Sequence, residues 1–183
     1  MLSFEDSGKI LRIADTLEGG AVNGWLSASG TVLKSTITVE DCLKNLKKHY
    51  KAILTDYPTL RLKIITKNNK QFWCYATNEE IQLNNLIKIV DSPLDDEIPT
   101  SYEPDKLPLW RIHLSQIGDK TKIKAMASHA ITDGRCIFDL FDIFGSYAIG
   151  KEINDRLKNA KNQLHYMNMV KKIGLQKKLL EEK

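Results

Sequence analysis

From Thr38 to Tyr57 the apolar residues return at helical spacing, and from Leu60 onward they come in short runs bounded by turn-forming residues. A chain carrying both periods has to pack helices against a sheet. Thr38-x-x-Asp41 resembles a capping box, in which two side chains reciprocally satisfy backbone N–H groups at a helix start. Val39, Leu43, Leu46, Tyr50, Ile53 and Leu54 then share one face, with Lys44, Lys47, Lys48 and Lys51 opposite them as a solvated surface. Pro58 ends this helix, because the residue before a proline is pushed out of the helical region. Two hairpins are expected further on: 60–66 with 71–76 around 67–70, and 110–116 with 122–128 around Gly118-Asp119.

The remaining segments fit the same picture. Residues 24–33 and 87–90 read as strands, and the acidic stretch 91–108, with four prolines, reads mostly as loop. Ile137, Leu140, Phe141, Phe144 and Tyr147 mark a helix ended near Gly145 or Gly150. Residues 1–20 are open, a short helix ended by Gly19-Gly20 being one reading. Strands interleaved with helices and hairpins indicate a mixed α/β sandwich rather than a regular βαβ series. The expected organisation is a body over 1–150 and a basic helical tail or linker over 151–183. Ile153, Leu157, Ala160, Leu164 and Met167 form a heptad-like stripe in that tail, one that needs a surface to bury against.

Composition narrows the function classes. The 183 residues are 42% hydrophobic and 27% charged, which excludes a disordered chain, and no apolar run approaches the roughly 20 residues of a membrane helix. The formal charge of +4 sits entirely in the tail, where nine Lys/Arg face four Asp/Glu; the first 150 residues hold eighteen against nineteen. A body without a positive field argues against nucleic acid as a partner. Glu5 and Asp6 stand where a signal peptide would be basic, and three widely spaced cysteines make no disulfide framework, so a cytoplasmic location is expected. No spacing among His49, His113, His129, His165 and the cysteines suggests a metal site. Of the three tryptophans, at least two are expected in the core.

The chemistry points to His129-Ala130-Ile131-Thr132-Asp133-Gly134, an H-x-x-x-D-G pattern where a strand hands over to a helix. A histidine at such a junction projects from the sheet's end and is the natural general base near neutral pH. The six residues alone also fit a plain strand end, with Asp133 as an ordinary N-cap and Gly134 as an ordinary turn residue.

The segment resembles the signature of the chloramphenicol acetyltransferase-like superfamily, which includes peptide-synthetase condensation domains, alcohol O-acetyltransferases and wax ester synthases. Tyr57-Pro58-Thr59-Leu60-Arg61 and Leu107-Pro108-Leu109-Trp110-Arg111 resemble two further segments of the same group, in the same order. The resemblance covers about residues 25–149, the superfamily's first lobe. It implies a two-layer α/β sandwich, a mixed sheet with helices packed on it. It also implies acyl transfer from a thioester, of coenzyme A or of a carrier pantetheine, to an alcohol or amine. Acetyl-CoA or another acyl-CoA would be a co-substrate, with no permanently bound cofactor. His129 takes the role of catalytic base, Asp133 and Arg61 that of a structural ion pair, and Gly134 that of a place where substrate passes the backbone; Arg111 would be structural.

Two departures accompany this likeness. Many members carry a second histidine where this chain has Ser128, and strand alternation turns Ser128 away from His129. Condensation-type members also have a second lobe, which nothing in 150–183 resembles. A second lobe or self-association is therefore the expected partner. The alternative function is a non-catalytic or truncated lobe acting as an interaction module.

Overall fold

The computed structural model describes residues 2–21, 23–32, 37–91, 107–132 and 134–153. The expected tail helix, most of the proline-rich stretch and Asp133 lie outside them. By its internal contacts the chain divides into Met1–Glu152 and Ile153–Lys183, and every element below belongs to the first unit.

Two sheets form. The larger has the order β2(Trp25–Val32), β7(Lys120–Ser128), β6(Trp110–Ile117), β5(Ile87–Ile89); the smaller is β1(Ile10–Ile13), β4(Lys70–Tyr75), β3(Leu62–Lys67). All pairs are antiparallel except β5 with β6, so the larger sheet is mixed. Helices α2(Val39–Asp56) and α4(Cys136–Ala148) pack against each other, α2 also on β6 and α4 on β7 and β2. This is the layered α/β arrangement expected from the sequence.

Register decides which sheet face meets the helices. Trp110 pairs with Ala127, Ile112 with Ala125 and Leu114 with Ile123, and all six are buried. Trp110 confirms the direction: its ring lies 4.9 Å from Phe144 of α4 and 6.4 Å from Tyr50 of α2. Its indole N–H donates to the Leu60 carbonyl at 2.6 Å, so the buried ring leaves no unmet donor. Trp73 is buried as well, at 4% exposure, which makes two tryptophans in the core. The capping box at Thr38 forms as expected, and Lys44, Lys47, Lys48 and Lys51 are exposed.

Close approach explains one glycine. Gly30 of β2 lies on the helix face, and a Cβ built there would sit 2.6 Å from Cζ of Phe141 on α4. Gly30→Ala is expected to cost about 1–3 kcal/mol in urea unfolding, with Phe141→Leu recovering much of it. If Phe141→Leu leaves the defect unchanged, the contact is not its cause.

Three local expectations are corrected. The opening apolar run is not a helix: residues Ile10–Ile13 pair with β4, and helix α1(Thr16–Ala21) comes after them. Gly19 and Gly20 lie inside α1 rather than ending it, and a Cβ on Gly19 would run into the Gln71 side chain of β4. Pairing partners 60 residues away decided the conformation of a stretch too short to declare its own period. The four-residue hairpin loop tightens to Asn68-Asn69, both left-handed at φ 51° and 57°, the backbone a two-residue hairpin requires. The second hairpin likewise starts its return strand at Lys120, with Gly118 at φ 58°. A further short helix, α3(Leu83–Leu86), had no sequence expectation.

Candidate functional site

His129 is the first residue beyond β7, placed there by the pairing of β7 with β2. Ser128 sits opposite Trp25, the last register pair, and the His129 N–H donates one step further to the Gly24 carbonyl at 2.5 Å. The backbone then turns back, closed by the Ile131 N–H donating to the Ser128 carbonyl at 3.0 Å. His129 is exposed, Ala130, Ile131 and Thr132 are buried, and Gly134 and Arg135 are exposed again. Of the motif's described residues, His129 and Gly134 are outward and Ala130, Ile131 and Thr132 anchor the segment inside.

Ser128 is fully buried and works on the turn. Its Oγ accepts from the Ala130 N–H at 3.2 Å and donates to the Ala21 carbonyl at 3.3 Å. It therefore ties the turn to the end of α1 and is placed as a clamp, not as a nucleophile. A serine two residues before a turn N–H was the signal available for this role, since its hydroxyl favours that local bond.

A Cβ built on Gly134 would meet nothing within 4 Å among the described residues, and its φ is not in the left-handed region. After it, Cys136 opens α4, and the Phe138 ring is 60% exposed on the first turn.

Arg61 lies at the end of the 3-10 turn Pro58–Arg61 and is 7% exposed. The carboxylate placed on it is that of Asp6, through two hydrogen bonds, Nη2 to Oδ2 at 3.1 Å and Nη1 to Oδ1. The guanidinium carbon lies 4.3 Å from the Phe4 ring centroid and 4.5 Å from that of Tyr75. Residues 4–9 are held there by backbone: the Phe4 N–H donates to Asn78 Oδ1 at 2.8 Å and the Tyr75 N–H to the Lys9 carbonyl at 3.0 Å. The fork geometry of arginine is used as expected, with Asp6 as the observed partner; Asp133 is outside the described residues. Asp6 was missed because ion-pair partners 55 positions apart leave no mark in a single sequence.

The sheet face opposite the helices carries several charged residues. Arg111 and Lys124 are buried there, and Arg111 Nη1 donates to the Pro108 carbonyl at 2.7 Å. His113 lies between Lys88 of β5 and Lys124 of β7, in register with both. Burial pushes its imidazole below the ordinary value of 6.5, and the charges of Lys88, Lys124 and Arg111 push the same way. The unfolded chain therefore takes up this proton first: the stability from neutral His113 is whole above pH 6.5 and is lost as pH falls below it. Wild type is expected to lose more unfolding free energy than His113→Gln between pH 7.5 and pH 5.5 (about neutral to mildly acid). Equal losses in the two proteins would refute the assignment.

Among the described residues no three His, Cys, Asp or Glu come together as a metal site would need, and no helix is long and apolar enough to cross a membrane.

No family model matches the sequence, and no curated protein matches it. Solved structures match in fold. TRI101 of F. sporotrichioides, solved complexed with coenzyme A and T-2, aligns with a TM-score of 0.56 at 9% identity, over 84% of this chain and 44% of its own. The tallysomycin biosynthesis protein TlmII gives 0.54 at 16% identity, over 76% and 38%. Holo T3CT gives 0.56 at 12% identity, over 78% and 35%. The chain thus spans less than half the length of the solved chains it matches.

Proposed function

We propose, from the chloramphenicol acetyltransferase-like fold that this chain shares with coenzyme A-dependent acyltransferases, that it is an acyltransferase lobe with His129 as general base. The observation that carries the reading is an exposed histidine one residue beyond the end of β7, its backbone fixed to Gly24. The imidazole takes the proton of an alcohol or amine as its oxygen or nitrogen attacks the thioester carbonyl. The new C–O or C–N bond forms, the C–S bond breaks, and the thiolate of coenzyme A or pantetheine leaves and accepts the proton. Gly134 is where the substrate passes close to the backbone, since a bare Cα leaves the most room. Arg61 is structural, holding the N-terminal segment through Asp6, while the role of Asp133 rests on the motif alone.

The test is release of free thiol from acetyl-CoA in the presence of a panel of alcohols and amines, comparing wild type with His129→Ala. Loss of turnover in the variant supports the reading; equal, background rates in two stably folded proteins overturn it.

The chain's coverage of 35–44% of the matched structures favours a second reading. In it this lobe supplies one wall of a site and needs a second lobe, or another copy, to act. Turnover that rises faster than protein concentration, in step with association measured by sedimentation, would support that reading.

A further inference from the structure

We infer that the sheet face opposite the helices binds a small phosphate-bearing anion, on a row of side chains that crosses all four strands: Lys88, His113, Lys124 and Ser29. Cross-strand partners share a face, so register fixes the row. Lys88 of β5 pairs with His113 of β6, His113 with Lys124 of β7, and Lys124 with Ser29 of β2. The next row on this face is Ser115, Lys122 and Thr31. No Asp or Glu pairs on this face among the described residues of the four strands; Asp91 and Asp119 lie beyond the strand ends. The first 150 residues balance eighteen cationic side chains against nineteen acidic ones, so charge is segregated here rather than scattered. Like charges on neighbouring positions of a sheet destabilise it, and a bound anion offsets that cost.

Burial grades this patch from floor to rim. Lys124 and Ser115 are 7% and 3% exposed, His113 and Lys122 are half-buried, and Lys88, Ser29 and Thr31 are exposed. Lys88 and Lys124 stand on either side of His113, two strand spacings or about 10 Å apart, within reach of one anion held above the imidazole. The imidazole and the hydroxyls of Ser29 and Thr31 add N–H and O–H donors around the two ammonium groups. A tetrahedral phosphate can accept from donors spread in this way, whereas a planar carboxylate accepts within one plane. None of these residues has a part in the acyl-transfer reading, and the inference is independent of it.

The experiment titrates the full-length protein calorimetrically with inorganic pyrophosphate and, separately, with ADP. The His113 imidazole is followed by NMR, its signal identified by its loss in His113→Gln. One saturable site is expected, with affinity falling as salt rises. With the anion bound, the imidazole is expected to titrate at higher pH, because the anion offsets the charges of Lys88, Lys124 and Arg111 that push it down. Lys88→Gln and Lys122→Gln are each expected to weaken binding about three- to tenfold at unchanged Tm, and Lys47→Gln, on the exposed face of α2, to leave it unchanged. Tighter binding of ADP identifies an organic phosphate as the ligand, and tighter binding of pyrophosphate a free one. Absence of binding by both anions overturns the inference, as does equal affinity in wild type and the two lysine variants of the patch. A loss as large in Lys47→Gln, or a His113 titration that the anion does not move, overturns it too. No outcome depends on turnover, so the general-base reading stands or fails separately.

Discussion

Replacing His129 with alanine is expected to lower kcat for thioester consumption by about 10²–10⁴-fold, the usual contribution of a positioned base. KM for the acyl donor is expected to change little, since in the proposed mechanism the imidazole acts on the acceptor's proton rather than on donor binding. The fold is expected to be indifferent to the change. The side chain is exposed, and the bond that holds the residue runs from its backbone N–H to Gly24, which alanine keeps. Stopped or continuous thiol assays give the rate, and thermal melts give the control. A kcat within about threefold of wild type, with an unchanged Tm, would remove His129 from the chemistry. A collapsed Tm would instead mean that the histidine serves the turn, and His129→Asn would then separate packing from proton transfer.

Arg61→Ala is expected to have the largest effect on stability, about 3 kcal/mol in urea unfolding. The value lies at the low end for breaking a buried pair because the Asp6 side chain is 32% exposed and partly screened. The variant leaves that carboxylate uncompensated and also withdraws the cation from between Phe4 and Tyr75. Arg61→Lys is expected to recover only part, since an ammonium has no planar fork to match both carboxylate oxygens. The decisive measurement is a double-mutant cycle with Asp6→Ala. A coupling of about 1 kcal/mol or more supports the observed pair, and additivity within roughly 0.5 kcal/mol would reject it. In that event the same cycle run with Asp133→Ala tests the partner implied by the motif.

The two residues were legible to different degrees. His129 belongs to a six-residue pattern on a strand-to-helix junction, so type, spacing and context all lie within one window of sequence. Arg61 was found as a scarce arginine in a recurring segment, but its partner depends on where residues 4–9 run, and hydrogen bonds to Asn78 and Tyr75 settle that. The apolar stripe read in α4 includes the buried Phe144 and omits Phe138, which is 60% exposed. Ser128 was seen only as a departure from the motif, whereas its clamp on Ala21 requires α1 to end beside β7.

By itself the sequence determined what is local in origin: the capping box and length of α2, the existence of the two hairpins, the apolar faces, and the histidine at the strand's end. These rest on spacings of two to four residues, within which backbone sterics and side-chain hydrogen bonds act directly. The tertiary structure decided what depends on partners far along the chain. It made Ile10–Ile13 a strand because β4 offered it an edge, and gave Arg61 to Asp6. It also set Phe141 against Gly30 of β2, an approach that depends on where α4 packs on the sheet.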